Sequence, residues 1–499
     1  MAQYNPRINL IQETFPLLSI DKGRSVLVST FKNFPSGEGS NDPQITYCHN
    51  VMPTSEGLLS VGYEQVIPAP TGGDVNTTFD DTRLIFGSLG NRVYMGITED
   101  MLLYSLEVGD TIWRHNSHTI FTAGSLITTG TVNGVTYIYV EGTGGYKYDE
   151  ATHSFVSVSF TGLALGSILG ISASSGYLVA FNATAIAWSS TIDPLDFTPS
   201  SVTGAGGGNV SDLEGDILFV VPNSLGLLAY TAANVVAATF TGNKQYPFKF
   251  KSVDNSKGAL GLDFVAYEAN AADHFAYTKG GLQTVNSRKA ENIAPAITDF
   301  LAGQRFEDFD EVTSTFSVTN LTTTMKKKVK LIASRYVIIS YGITTFTHAL
   351  VYDIAYQRLG KLKITHTDCF EYLDSQVEIS KQSIAFLLND GTVKILKLSV
   401  PSSNRIGVLM LGKYQYTRDR HLVLQKVLAE TVESTDDFTF TDLVSLDGKN
   451  TTAVTATETV GKGYRSYALR ASGINHSLLF VGEFNLSTIS LLFSLGGRR

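Results

Sequence analysis

A short apolar run ending in an aromatic residue, then a polar turn and a second short strand, returns along most of this chain. It occurs as LLYSLEV at Tyr104, YKYDEATHSFVSV at Tyr148, IAWSSTIDPLDF at Trp188, LLAYTAANVVAATF at Tyr230, HFAYTKGGLQTV at Tyr277 and ALVYDIAYQRLGKL at Tyr352, and more faintly as VKILKLSV at Ile395. The successive intervals are 44, 40, 42, 47, 75 and 43 residues. Four strands of about five residues, with their connections, occupy roughly 40 to 50 residues, which is one propeller blade. Any long β chain carries turn signals every 8 to 12 residues or so, and the sustained module length favours a ring. The expectation is an all-β protein with a six- or seven-bladed β-propeller over 61–400. The long interval holds 294–311 (APAITDFLAGQRFEDFDE), the best helical candidate in the chain: Ile297, Phe300, Leu301 and Phe306 fall on roughly one helical face and Pro295 suits a first turn. This predicts a short helical inter-blade insertion at about 294–325. Its acidic end, Glu307, Asp308, Asp310 and Glu311, has the chemistry to hold a divalent cation, although a solvated charge run is the plainer reading.

Outside the modules the rhythm changes. Pro401 and the polar 402–405 precede strands such as HLVLQKVLAETV and HSLLFVGEF, so 401–499 reads as an adjoining β platform domain. The first 60 residues combine a strand-like SVLVSTF with the polar loop FPSGEGSNDP and read as an arm of the same platform.

At 499 residues the chain has room for about three domains and a large core. Charged residues are only 17% and Asp plus Glu outnumber Lys plus Arg by 46 to 38, giving a net charge of -8. No overall cationic field draws in nucleic acid, which argues against a freestanding DNA-binding protein. Cys48 and Cys369 are the two cysteines, too few for a disulfide framework or a cysteine zinc cluster, leaving one bridge or two buried thiols. The amino terminus lacks the basic and apolar pattern of a secretory leader. Residues 151–192 carry no Asp, Glu, Lys or Arg but are rich in Ser, Thr and Gly, so they read as successive buried strands and no membrane span is expected.

Catalytic signatures fail one by one. The repeated Ser-x-Asp-x-Gly-x-x-Trp turns of sialidases are absent, and Trp113 and Trp188 are the two tryptophans. Gly461-Lys462 lacks the upstream glycine and following Ser or Thr of a phosphate loop. No Gly-x-Ser-x-Gly elbow occurs, and Gly204-Ala-Gly206-Gly207-Gly208-Asn209 reads as a flexible blade connection. His115 and His118 stand three apart, but two ligands do not make a zinc site. Asp193 and Asp196, in SSTIDPLDFTPS, read as turn formers and not as paired catalytic acids. We expect no enzyme, no cofactor and no metal. The basic run Lys326, Lys327, Lys328 and Lys330 must face water or an acidic partner in part. A solvated edge that resists unwanted pairing is the plainer reading, and contact with DNA phosphates or a protein partner the functional one. Arg498 and Arg499 form either a tail contact or a soluble terminus.

Several phrases carry a family resemblance. Trp188-Ser-Ser-x-x-Asp193-Pro-x-Asp196-Phe197, Val210-Ser-Asp-Leu-x-Gly215 and Leu227-Leu-Ala-Tyr230 resemble the propeller of the tail nozzle, or packaged-DNA stabilisation (tail hub), proteins of short-tailed bacteriophages. Lys257-Gly258, Tyr277-Thr-Lys-Gly-Gly281-Leu282, Ile293-x-Pro-x-Ile297-x-Asp299-Phe-Leu301 and Val351-Tyr352-Asp353 are similar to its later blades, as is Arg358-Leu-Gly360-Lys361, where Leu359 stands in place of a tryptophan common in relatives. Ser445-x-Asp447-Gly448 and Asn475-His476-Ser477-Leu478-x-Phe480 continue the likeness, which spans about 150 to 499. The resemblance implies a virion protein assembled in the host cytoplasm. It would form a homo-oligomeric ring of about six copies below portal and adaptor proteins, line the genome-exit channel, retain packaged DNA in non-specific contact and offer a docking surface for tail fibres or spikes. In that setting Phe300, Leu301, Arg305, Phe306, Glu307 and Asp308 would form a channel gate or docking insertion. The competing expectation, from another class, is a glycan-acting propeller enzyme, a depolymerase with converging carboxylates in a central pocket.

Overall fold

Strands that lie between two covered faces must be apolar on both, whereas strands at a rim need only one apolar face. That difference runs through every module. Tyr177–Phe181 and Gly226–Tyr230 are buried at all five positions, while Phe248–Ser252, outermost in its sheet, alternates between buried and open positions. The turns follow local chemistry. Asn133 and Gly134 take positive φ of 52° and 77° between the paired Val132 and Val135, the backbone a two-residue hairpin turn requires. Ser175 and Gly176 repeat the device between Ser174 and Tyr177.

The computed structural model describes residues 10–16, 45–55, 57–70, 78–116, 124–293, 301, 305–310, 315–320, 325–356, 358–376, 382–397, 406–414, 420–431, 437–445, 451–461 and 463–498. Seven antiparallel four-stranded units occur among them, six of them with all four strands in chain order. We number them blade 1 (79–116), blade 2 (127–158), blade 3 (170–209), blade 4 (219–252), blade 5 (265–292), blade 6 (326–366) and blade 7 (368–397). Blade 7 takes its fourth strand from Gly62–Ile67, which pairs with Val393–Lys397. An early strand thereby fastens the last blade and closes the ring.

Each blade packs its face on the next. Ile85, Val93 and Met95 of blade 1 meet Ile138 and Tyr148 of blade 2, and Tyr137 and Tyr139 of blade 2 meet Leu178 and Ala180 of blade 3. A further cluster joins blades 3, 4 and 5, and others join 5 to 6 and 6 to 7. Phe79 and Tyr94 of blade 1 lie with Phe370 and Leu387 of blade 7, so the circuit is complete. The chain is an all-β, seven-bladed propeller.

Two further sheets face one another across a shared core that includes Leu409, Phe440, Phe480, Val427, Ile489 and Leu491. One has the order Ile45–His49, Gly407–Tyr414, Asn475–Glu483, Asp437–Ser445, Thr451–Thr455. In the other, Asn485–Arg498 pairs with Leu10–Pro16 and with Arg420–Thr431, followed by Tyr464–Gly473 and Thr457–Gly461. Through Leu58–Ser60 and Val51–Pro53 this second sheet runs on into Arg358–His366, the outer strand of blade 6. Propeller and platform therefore share one sheet as well as one core.

The interval between blades 5 and 6 departs from the sequence expectation. Arg305–Asp310 is a strand paired with Thr315–Asn320, not the end of a helix, so Arg305, Phe306, Glu307 and Asp308 lie in a hairpin. The β-branched TFSVTN supplies the partner strand, with Phe309 opposite Phe316 in register, and pairing across the hairpin overrides a helical period read from four residues. Phe300 lies outside the described residues, and Leu301 is buried in the core that joins blade 6 to the platform. Residues 206–209, expected as a loop, form the outermost strand of blade 3, Gly208 opposite Ile186. Strands at 154–158, 170–174, 177–181 and 185–188 occupy the charge-free stretch, and no helix among the described residues is long and apolar enough to cross a membrane. Cys48 and Cys369 are buried free thiols, and burial pushes each up to about 12.

Candidate functional site

The innermost strands of three blades bring charge to the propeller hub. Phe79–Phe86 (FDDTRLIF) opens blade 1, Lys326–Ile332 (KKKVKLI) opens blade 6 and Asp368–Leu373 (DCFEYL) opens blade 7. Side chains two apart on a strand share a face, so Asp81 stands with Arg83 and Lys328 with Lys330. The two pairs meet. Lys328 Nζ lies 3.0 Å from Asp81 Oδ1 and 3.2 Å from Asp368 Oδ1, and Lys330 Nζ lies 2.9 Å from Asp81 Oδ1 and 3.2 Å from Asp368 Oδ2. Arg83 Nε donates to Asp81 Oδ2 at 2.8 Å and its Nη1 to the Ile127 carbonyl of blade 2 at 2.5 Å. The Thr82 N–H donates to Asp368 Oδ2 at 2.7 Å.

Burial opposes every charge in this cluster, and partners decide the outcome. For Lys328 the carboxylates of Asp368 and Asp81 outweigh desolvation and hold the ammonium well above its usual value. Lys328, Lys330 and Arg83 together overcome burial at Asp81 and hold its carboxyl well below the usual range. Asp368 is fully enclosed and faces Asp81, and desolvation leaves it raised to about 6. Asp81 is the stronger acid because it alone has the Arg83 guanidinium at contact distance. The cluster ties blades 1, 6 and 7 together, and removing one partner of such a buried network costs about 3–5 kcal/mol.

This arrangement corrects the reading of the basic run. Lys328 and Lys330 point inward to an acidic partner within the same chain, and Lys328 is buried, so neither presents its charge to DNA phosphates. Lys326 is exposed, and Lys327 is half-buried with its amine 5.1 Å from the Tyr277 ring. Beside the cluster lies a cavity of about 290 Å³ walled by inner residues of blades 1 to 6, among them Arg83, Thr129, Thr131, Asp263, Tyr267 and Lys330. Asp81, Arg83, Asp368 and Tyr267 escape a motif search. The signal was FDDTRLIF itself, a charged strand at a blade start in a chain with few charges.

The remaining candidates fall elsewhere. Asp308 accepts from His348 Nε2 at 3.2 Å and pairs with Lys363 Nζ at 3.0 Å, so its carboxylate pins the hairpin to blade 6. Burial works against that charge, but His348 and Lys363 hold it far below the usual carboxylate range. Of Arg305, Phe306 and Glu307 the structure describes the backbone positions. Asp193 Oδ1 accepts from the Leu195 N–H and Asp196 Oδ1 from the Thr198 N–H, both at 2.9 Å, as turn formers do. His118 and Arg499 lie outside the described residues. No group of three or more His, Cys, Asp or Glu side chains placed to hold a metal occurs among the described residues.

No family model matches the chain and no curated protein matches it. Among solved structures, the WD40 β-propeller domain of Doa1 is similar over 68% of this chain and 98% of its own, at 9% identity and a TM-score of 0.37. So loose a likeness carries no functional argument, and the propeller rests on its seven sheets.

Proposed function

We propose that the protein is a virion structural component: a subunit of the ring-shaped tail nozzle of a short-tailed bacteriophage, below portal and adaptor, that lines the genome-exit channel and offers docking surface to tail fibres. One observation carries most of this reading, the unbroken sheet from blade 6 into the platform sandwich, which joins propeller and platform through one continuous sheet. A second supports the ring. The platform sheet ends in two different edge strands, Leu10–Pro16 and Thr457–Gly461, each paired on one side among the described residues. A head-to-tail ring needs two unlike surfaces on every copy. The charged cluster lies on the innermost strands of blades 1, 6 and 7, and in this reading DNA passes between copies and not through a propeller. A net charge of -8 lets a polyanion slide without adhering. The hairpin at 305–320 takes the docking or gating role. Deleting 294–312 then changes genome retention or fibre attachment while the subunit still folds.

The test is assembly. Light scattering and negative-stain imaging of the purified chain, alone and with a portal–adaptor complex, should show a closed ring of about six copies in at least one of the two conditions. A chain that stays monomeric in both, or that depolymerises a polysaccharide with turnover, overturns the proposal.

A further inference from the structure

The hub cavity contains donor capacity that the protein itself leaves unused. Arg83 spends Nε on Asp81 and Nη1 on the Ile127 carbonyl, and its Nη2 has no protein acceptor among the described residues. Lys330 gives two of its three N–H groups to Asp81 and Asp368. Tyr267, across the cavity on blade 5, packs its ring 5.7 Å from that of His274, and its hydroxyl has no hydrogen-bond partner among the described residues. Burial raises the Tyr267 pKa, so the phenol stays a neutral donor, and Arg83 and Lys330 lie close enough to act on it electrostatically. In the cluster itself three cations face the two carboxylates of Asp81 and Asp368. The further acids, Asp80 and Asp263, are exposed, with Asp263 4.0 Å from Lys328.

We propose that this cavity binds a small oxyanion, a carboxylate or phosphate, gripped by the Arg83 guanidinium, the Lys330 ammonium and the Tyr267 hydroxyl, with Thr129 and Thr131 on the opposite wall. Charge-assisted bonds to a planar guanidinium suit either anion. At about 290 Å³ the site stands at the small end of ligand pockets and suits a small anion. The ligand would bridge blades 1, 5 and 6, so occupancy adds to the stability of the ring of blades. The inference does not depend on the nozzle reading and is tested on the isolated full-length chain.

Inorganic phosphate and citrate serve as probes, in calorimetric titration and thermal unfolding at ionic strength held constant with sodium chloride. The expected result is saturable binding of at least one probe at one site per chain, with a rise in Tm that tracks occupancy. Tyr267→Phe, which removes a hydroxyl without a protein partner, should fold with unchanged unliganded Tm and bind roughly tenfold more weakly. Binding by citrate alone or phosphate alone supports the site and identifies its preferred anion. Absence of saturable binding by both probes, or equal affinity of Tyr267→Phe and the parent chain, overturns the proposal.

Discussion

His274 and His366 are held neutral by burial and by matched partners. His274 Nε2 donates to the Pro222 carbonyl at 2.9 Å while Nδ1 accepts from the Tyr230 hydroxyl at 3.1 Å. His366 Nδ1 donates to the Ile364 carbonyl and Nε2 accepts from Ser340 Oγ, both at 2.7 Å. Desolvation lowers both to about 4. A folded pKa below the unfolded value of about 6.5 means the unfolded chain takes up protons first. Stability is thus full above pH ~6.5 and lost as pH falls towards 4, by on the order of 3 kcal/mol per histidine. Asp368, raised to about 6, acts with opposite sign between pH ~4 and 6, so the His366→Gln variant isolates the effect. Urea midpoints at pH 7 and 4.5 should differ less in His366→Gln than in the parent chain, and an equal or larger difference counts against the assignment. At the hub, Lys328→Met should lower unfolding free energy by about 3–5 kcal/mol by stranding Asp81 and Asp368. Equilibrium denaturation reads this directly, and a loss under 1 kcal/mol or so would show the cluster to be loosely solvated. Residue identity alone placed Lys328 at a strand entrance. Its acidic partners sit 247 and 40 positions away, and no local pattern connects them.

At the scale of elements, the recurrent apolar run found every blade but not always the same strand. Tyr104, Tyr148, Trp188, Tyr352 and Ile395 lie on third strands, whereas Tyr230 and Tyr277 lie on second strands. Both middle strands of a blade are covered on two faces, so both read as apolar runs, and period cannot tell them apart. The glycine-rich 206–209 was legible as irregular because it lacks side chains, yet an outer strand needs only its backbone ladder. At the joint between propeller and platform Val51 is paired to Lys361, and Gly360 lies against the Val51 carbonyl so closely that a methyl group would overlap it. Gly360→Ala should therefore cost about 1–3 kcal/mol, measured as a lowered urea midpoint. The edge strand Thr457–Gly461 bears Val460, 60% exposed, and its Glu458 is paired within the chain to Arg465. Edges without lysine or proline invite pairing. If the chain forms the proposed ring through this edge, Val460→Lys leaves the monomer's Tm within a degree or so and weakens that assembly; intact rings at unchanged concentration would place the joint elsewhere.

For the whole molecule, the low charge content and negative balance leave little attraction for DNA. With Lys328 and Lys330 committed to Asp81 and Asp368, binding of duplex DNA at physiological salt should be weaker than the 10⁻⁴ to 10⁻⁶ M or so typical of non-specific binders. Fluorescence anisotropy across a salt series checks this, and a steep slope with micromolar affinity would show a basic surface that the fold does not suggest. Ring closure is also a property of the whole. Gly62–Ile67 and Val393–Lys397 pair across more than three hundred residues, so deleting 1–67 should convert cooperative unfolding into a broad transition that begins in blade 7.

Fold class and module length were set by local features: apolar runs of strand length, turn residues at regular spacing and few charges, each acting over a handful of bonds. Blade number, the hairpin at 305–320, the fused platform and the hub cluster were decided by tertiary structure. They depend on which distant strands share hydrogen bonds and which buried charges find partners, and those free energies exist only once the chain has brought the strands together.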